Sequence, residues 1–176
     1  MRGVDNVITI DQGSFIGRYT NKIKRRAIKP ETRTQLTSRQ IDRLVRAAKE
    51  NGKHGTRNAT LILMAYRHGL RVNELINLKW IHIDLDAGNV LVSRLKNGQK
   101  TIHALTKQEV DYLVKMERMY PDSEYVFISE RKNPLSTSVV HKMVKRAGEQ
   151  AGLPSAIQPY MLQPANSFNF TSFRPH

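Results

Sequence analysis

Two short stretches hold side chains whose type and spacing could do chemistry. In "AYRHGLRVNEL", Arg71 follows a glycine break and sits between an apolar helix and a short amphipathic one. Its neighbours Leu70, Val72 and Leu75 point to a core, so the guanidinium is poorly explained as surface decoration. One reading pairs it internally with Glu74, three residues on. The other holds it as a rigid, always-charged fork for a phosphate. In "SRLKNGQK", Lys96 lies at the tip of a hairpin turned by Asn97-Gly98, flanked by Arg94 and Lys100. A hairpin lysine can be solvated and edge-protecting. It can also project an ammonium into a groove, where it stabilises or protonates a leaving oxygen.

Other chemistries lack support. There is no cysteine, so disulfide scaffolds and thiolate metal sites are excluded. His54, His68, His82, His103, His141 and His176 show no metal-ligand spacing and read as packing and hydrogen-bonding residues. Neither GxxxxGK[ST] nor GxGxxG occurs, which leaves nucleotide binding without a motif. No metal and no cofactor is expected. The net charge of +14 favours a polyanionic partner, nucleic acid above all. No signal-peptide core and no apolar run of about 20 residues is present, so no membrane partner and a cytoplasmic location are expected.

The elements that must carry these residues follow from periodicity. Residues 1–35 read as a basic arm in which "NKIKRRAIKP" concentrates Lys22, Lys24, Arg25, Arg26 and Lys29, either solvated or laid along phosphates. "LTSRQIDRLVRAAKENG" opens with a capping box, Thr37 and Gln40, and puts Ile41, Leu44, Val45 and Ala48 on one helical face. A buried central helix is expected over Thr56–His68, ended by Gly69, and a short helix in "RVNELINL". Alternation in "WIHIDLDAGNVLVSRLKNGQKTIHAL" predicts three antiparallel strands through Ile81 and Ile83, Val90 and Val92, and Ile102 and Ala104. A second capping box, Thr106 and Glu109, starts a helix to about Met119. A short strand "YVFIS" follows, then a helix with Val140, Met143, Val144 and Ala147 inward, stopped by Gly152 and Pro154. The fold class is mainly α with a small three-stranded antiparallel sheet (α+β).

These pieces together resemble the catalytic domain of the tyrosine recombinases, or phage integrases, and within them the short recombinases that invert fimbrial promoter switches. "LTSRQIDRLVRAA" looks like the family's domain-opening helix. "LILMAYRHGLRVNELINLKWIHID" is similar to its first signature box, G-[LM]-R-x-x-E-L, and "RLKNGQKTIHAL" to its catalytic β-hairpin. "STSVVHKMVKRAGEQAGL" resembles the helix before the second box. Such enzymes attack a DNA phosphodiester with a tyrosine, form a 3′-phosphotyrosyl link and pass the strand to a 5′-hydroxyl, using no metal or nucleotide. The resemblance implies that Arg71 is the first phosphate-binding arginine and Lys96 the lysine that helps the departing 5′-oxygen. Glu74 becomes the acid that orients the arginine. Arg94, Lys100, Lys24, Arg25 and Arg26 become DNA-binding residues.

The second box should read H-x-L-R-H. Here it reads Tyr160, Met161, Leu162, Gln163, Pro164, so tyrosine stands in the histidine's place and glutamine in the second arginine's. The expected organisation is an arm over 1–35, a partial tyrosine-recombinase catalytic domain over 36–162 and a non-family tail over 163–176. No nucleophilic tyrosine is expected, and the switch at Gln163 reads as a frameshifted or rearranged 3′ end. The resulting expectation is a homologue for site-specific DNA recombination and integration that binds double-stranded DNA, with intact recombinase protomers as further partners, and does not cut. It would be nucleoid-associated. The alternatives are a DNA-binding regulator or dominant inhibitor of an intact recombinase, and a general basic RNA-binding protein.

Overall fold

The structure, a computed structural model, describes residues 35–93, 100–153 and 156–163. The chain divides into two units, Met1–Arg33 and Thr34–His176, and every described residue belongs to the second. The arm's Lys24, Arg25 and Arg26 and the hairpin's Arg94 and Lys96 lie outside the described residues.

Helix α1 spans Ser38–Glu50. Its capping box forms as the sequence predicts: Thr37 Oγ1 accepts from the Gln40 N–H, and Gln40 Oε1 accepts from the Thr37 N–H at 2.9 Å. Ile41, Leu44, Val45 and Ala48 are its buried face. Helix α2, Gly55–His68, is buried along most of its length, including Leu61, Ile62, Leu63 and Met64. It ends on Gly69 at φ 60°, a left-handed cap that glycine adopts without a Cβ penalty. After Leu70 the five-residue helix α3, Val72–Ile76, buries Glu74 and Leu75.

The sheet has the order β1-β2-β3, with β1 Ile83–Asp84, β2 Asn89–Ser93 and β3 Lys100–Ala104, all antiparallel. Two details differ from the alternation expected. Ile81 belongs to a 3-10 turn, Trp80–His82, and is 86% exposed. In β3 the apolar Ile102 and Ala104 lie on the outer face, while His103 is buried. Register explains the inversion, because His103 stands opposite Val90 and Thr101 opposite Val92, and paired residues share a face. Both valines are fully buried, so β3 must turn its polar residues inward.

Helix α4, Lys107–Met119, starts on the Thr106/Glu109 capping box. The "YVFIS" segment is not a strand. It makes only isolated bridges, Tyr125 with Lys79 and Ile128 with Pro134, because Val126, Phe127 and Ile128 are all buried in succession. A half-buried strand would have alternated. Helix α5, Thr137–Gln150, is capped by Ser136 and buries Val140, Val144 and Ala147, with Met143 half-buried. Its C-terminal carbonyls at Ala151 and Gly152 accept from the Arg43 guanidinium of α1. A 3-10 turn, Pro159–Leu162, closes the described chain against α2 and α5.

The corner between α1 and α2 leaves no room for a side chain at Gly55, where an added Cβ would run into the Lys49 backbone carbonyl. Gly55→Ala should therefore destabilise the domain by roughly 1–3 kcal/mol, the usual cost of overpacking. A thermal melt reads this as a lower Tm, and an unchanged Tm would show that the corner relaxes freely.

Candidate nucleic-acid site

Arg71 stands at the N-cap of α3, where the chain leaves the buried end of α2, and its side chain is exposed. The Glu74 carboxylate Oε2 accepts from the Arg71 backbone N–H at 2.8 Å. The acid therefore fixes the arginine through its backbone, an N-cap bond at the start of α3. Buried Leu70 and Leu75 hold the turn from either side. A planar cation on a backbone pinned in this way is suited to bidentate contact with a phosphate.

Lys100 begins β3 and is exposed. Tyr160 lies in the last 3-10 turn and is 53% exposed, between buried Pro159 and Met161. Gln163 follows directly and is half-buried, its N–H bonded to the Tyr160 carbonyl. Among the described residues, no side-chain hydrogen bond joins Arg71, Lys100, Tyr160 and Gln163 to one another. They are separate groups on a shared scaffold, available to a ligand that would bring them together.

Sequence reasoning missed a buried polar cluster behind this surface. His68, the last residue of α2, places Nε2 3.1 Å from Glu109 Oε1, and both side chains are almost fully buried. Glu109 Oε2 also accepts from the Thr106 N–H and hydroxyl at 2.8 and 2.7 Å. The His103 ring lies 5.4 Å from that of His68, tilted by 57°, and His103 Nε2 meets Thr101 Oγ1 at 2.9 Å. Burial alone would raise the Glu109 pKa. The hydrogen bond and charge of His68 and the two bonds from Thr106 outweigh it, so the carboxyl is held below its ordinary value. The capping box was the legible half of this arrangement. The carboxylate's second oxygen, facing across to α2, leaves no local signal.

Among the described residues, no three His, Cys, Asp or Glu side chains gather as a metal site, and no helix is long and apolar enough to cross a membrane. A concavity on the outer face of the sheet is lined by Ile81, Leu91, Ile102, Asp84, Asp86 and Glu117. It contains none of the candidate residues, and its carboxylates would repel a phosphate.

The model of the phage integrase family matches residues 34–170, a span that runs past Leu162. Type 1 fimbriae regulatory protein FimB of Escherichia coli (strain K12) is 37% identical over 141 residues, covering 77% of this chain and 70% of FimB. FimE of the same strain is 32% identical over 139 residues, covering 76% and 70%. Among solved structures, the XerA recombinase superposes with a TM-score of 0.63 at 26% identity, over 73% of this chain and 47% of that one. The lambda integrase catalytic core shares the fold, with a TM-score of 0.59 at 24% identity over 73% of this chain and 78% of the core.

Because Glu109 is depressed in the folded state, its stabilising effect is complete above the unfolded carboxyl pKa, about 4.3. It is lost only as pH falls through the lower folded value. Glu109→Gln should lower stability near neutrality by on the order of 1–3 kcal/mol. Urea melts at pH 7 and pH 3 should show the gap to the parent protein narrowing in acid, and a gap that widens would contradict the assignment.

Proposed function

The chain belongs to the phage integrase family, the tyrosine recombinases, and from that premise we propose that it binds double-stranded DNA without cleaving it. The observation that carries the binding is Arg71, exposed at the first signature box with its backbone held by Glu74. The net charge of +14 adds a sequence-independent attraction to phosphates. Lys100 extends the contact along β3, and Arg94, Lys96, Lys24, Arg25 and Arg26 supply further cations from segments outside the described residues.

The absence of cleavage rests on the second box. Gln163 offers a neutral amide where a recombinase of this family would present an arginine, and Tyr160 stands where it would present a histidine. The transition state of phosphoryl transfer places extra negative charge on the non-bridging oxygens. Loss of one preorganised donor there costs roughly 10²–10³ in rate. With binding retained and the charge set incomplete, the protein acts as a DNA-bound regulator or competitor of intact recombinase protomers.

Two measurements test this reading. Duplex affinity should fall steeply with salt, with log K dropping by about 0.9 per phosphate contacted. Nicked suicide duplexes should yield no covalent protein–DNA adduct. A salt-independent Kd, or a stronger preference for RNA than for duplex in direct competition, would overturn the binding. A trapped adduct would overturn the absence of cleavage.

A further inference from the structure

We propose that the buried His68–Glu109 pair, with His103 beside it, is a positioning unit that sets the Arg71 turn relative to β3. The inference rests on the reading of Arg71 as a phosphate contact. His68 lies three residues before Arg71, at the last turn of α2, and Gly69 and Leu70 alone separate them. Glu109 lies in the first turn of α4, and His103 lies on the strand that Lys100 begins. One carboxylate therefore bonds α2 through Oε1 and caps α4 through Oε2. The His68 ring in turn contacts a ring on β3.

A buried ionisable pair is a poor choice for stability alone, since apolar residues of similar volume usually serve as well or better. What it adds is direction. Packed leucines tolerate a small rotation of the α2 terminus, whereas an N–H···O bond of 3.1 Å between two almost fully buried groups does not. Any rotation of that last turn carries Gly69, Leu70 and Arg71 with it, and shifts the guanidinium against Lys100. His68 and Glu109 are buried and would not touch DNA, so their effect must pass through Arg71.

The test is a double-mutant cycle on the full chain, reading duplex Kd and thermal melts together. Arg71→Ala should weaken binding by on the order of tenfold, the loss of a charge-assisted contact. His68→Leu should weaken binding severalfold when Arg71 is present and leave it unchanged in the Arg71→Ala background. Its melt should be lowered equally in both backgrounds. His68→Gln, whose amide can place a donor near the position of Nε2, should restore affinity towards the parent value. If His68→Leu does not fold, Glu109→Gln takes its place in the cycle.

Equal losses of affinity with and without Arg71 would overturn the positioning role and leave the phosphate contact standing. So would an Arg71-dependent loss that His68→Gln fails to relieve. If Arg71→Ala alone leaves duplex affinity unaltered, the phosphate contact itself fails and the positioning role falls with it.

Discussion

Helix α2 is buried along most of its length, and that burial constrains everything near the candidate site. The buried face of a helix cannot carry an unpaired guanidinium, which would lose its hydration without recompense. The arginines of α2 therefore sit near its ends, Arg57 bonded to the Ile128 carbonyl and Arg67 exposed, and Arg71 comes after the helix stops. Gly69 makes the ending abrupt, with φ at 60°, and Leu70 anchors the chain once more before Arg71 reaches the surface. The sequence "HGLR" is thus a solution to a packing problem: polar stop, left-handed glycine, apolar anchor, exposed cation. Glu74 completes it by taking the backbone N–H that the new helix start would otherwise leave unpaired.

The chain's few acids are used in the same economical way. Glu109 is committed to Thr106 and His68, and Glu124 to Lys79 at 2.7 Å. Glu130 is held down to about 2, first by its hydrogen bond to Lys53 and then by His54, at the N-terminal end of α2. Asp84 accepts from the Ala87 N–H and closes the β1–β2 turn. These carboxylates hold caps, turns and local pairs. Asp84 also groups with Asp86 and Glu117 around the concavity on the outer face of the sheet. Those carboxylates would repel a phosphate backbone from that face.

Legibility followed the range of the interaction. Both capping boxes, Thr37/Gln40 and Thr106/Glu109, were readable because all their partners lie within three residues. The glycine stop and the buried face of α1 were readable for the same reason. The phase of β3 was not, since Ile102 looks like the inward residue until its pairing with Leu91 places both on the outer face. "YVFIS" has strand composition, yet three consecutive buried side chains suit a loop threaded through the core better than a ladder. Arg71 and Glu74 were legible as a pair, but the bond runs through the arginine's backbone. His68 and Glu109, 41 residues apart, carried no sign of each other at all.

The last 3-10 turn separates what holds a site in place from what makes it react. Ile157, Met161 and Leu162 are buried, and the Leu36 N–H bonds the Met161 carbonyl, tying this turn to the entrance of α1. None of those contacts involves the side chains of Tyr160 or Gln163. The turn's seat against α2 and α5 therefore rests on its apolar residues and not on the side chains at 160 and 163. The shape of the domain at this end thus depends on Ile157, Met161 and Leu162, and substitutions confined to the side chains at 160 and 163 would leave it in place.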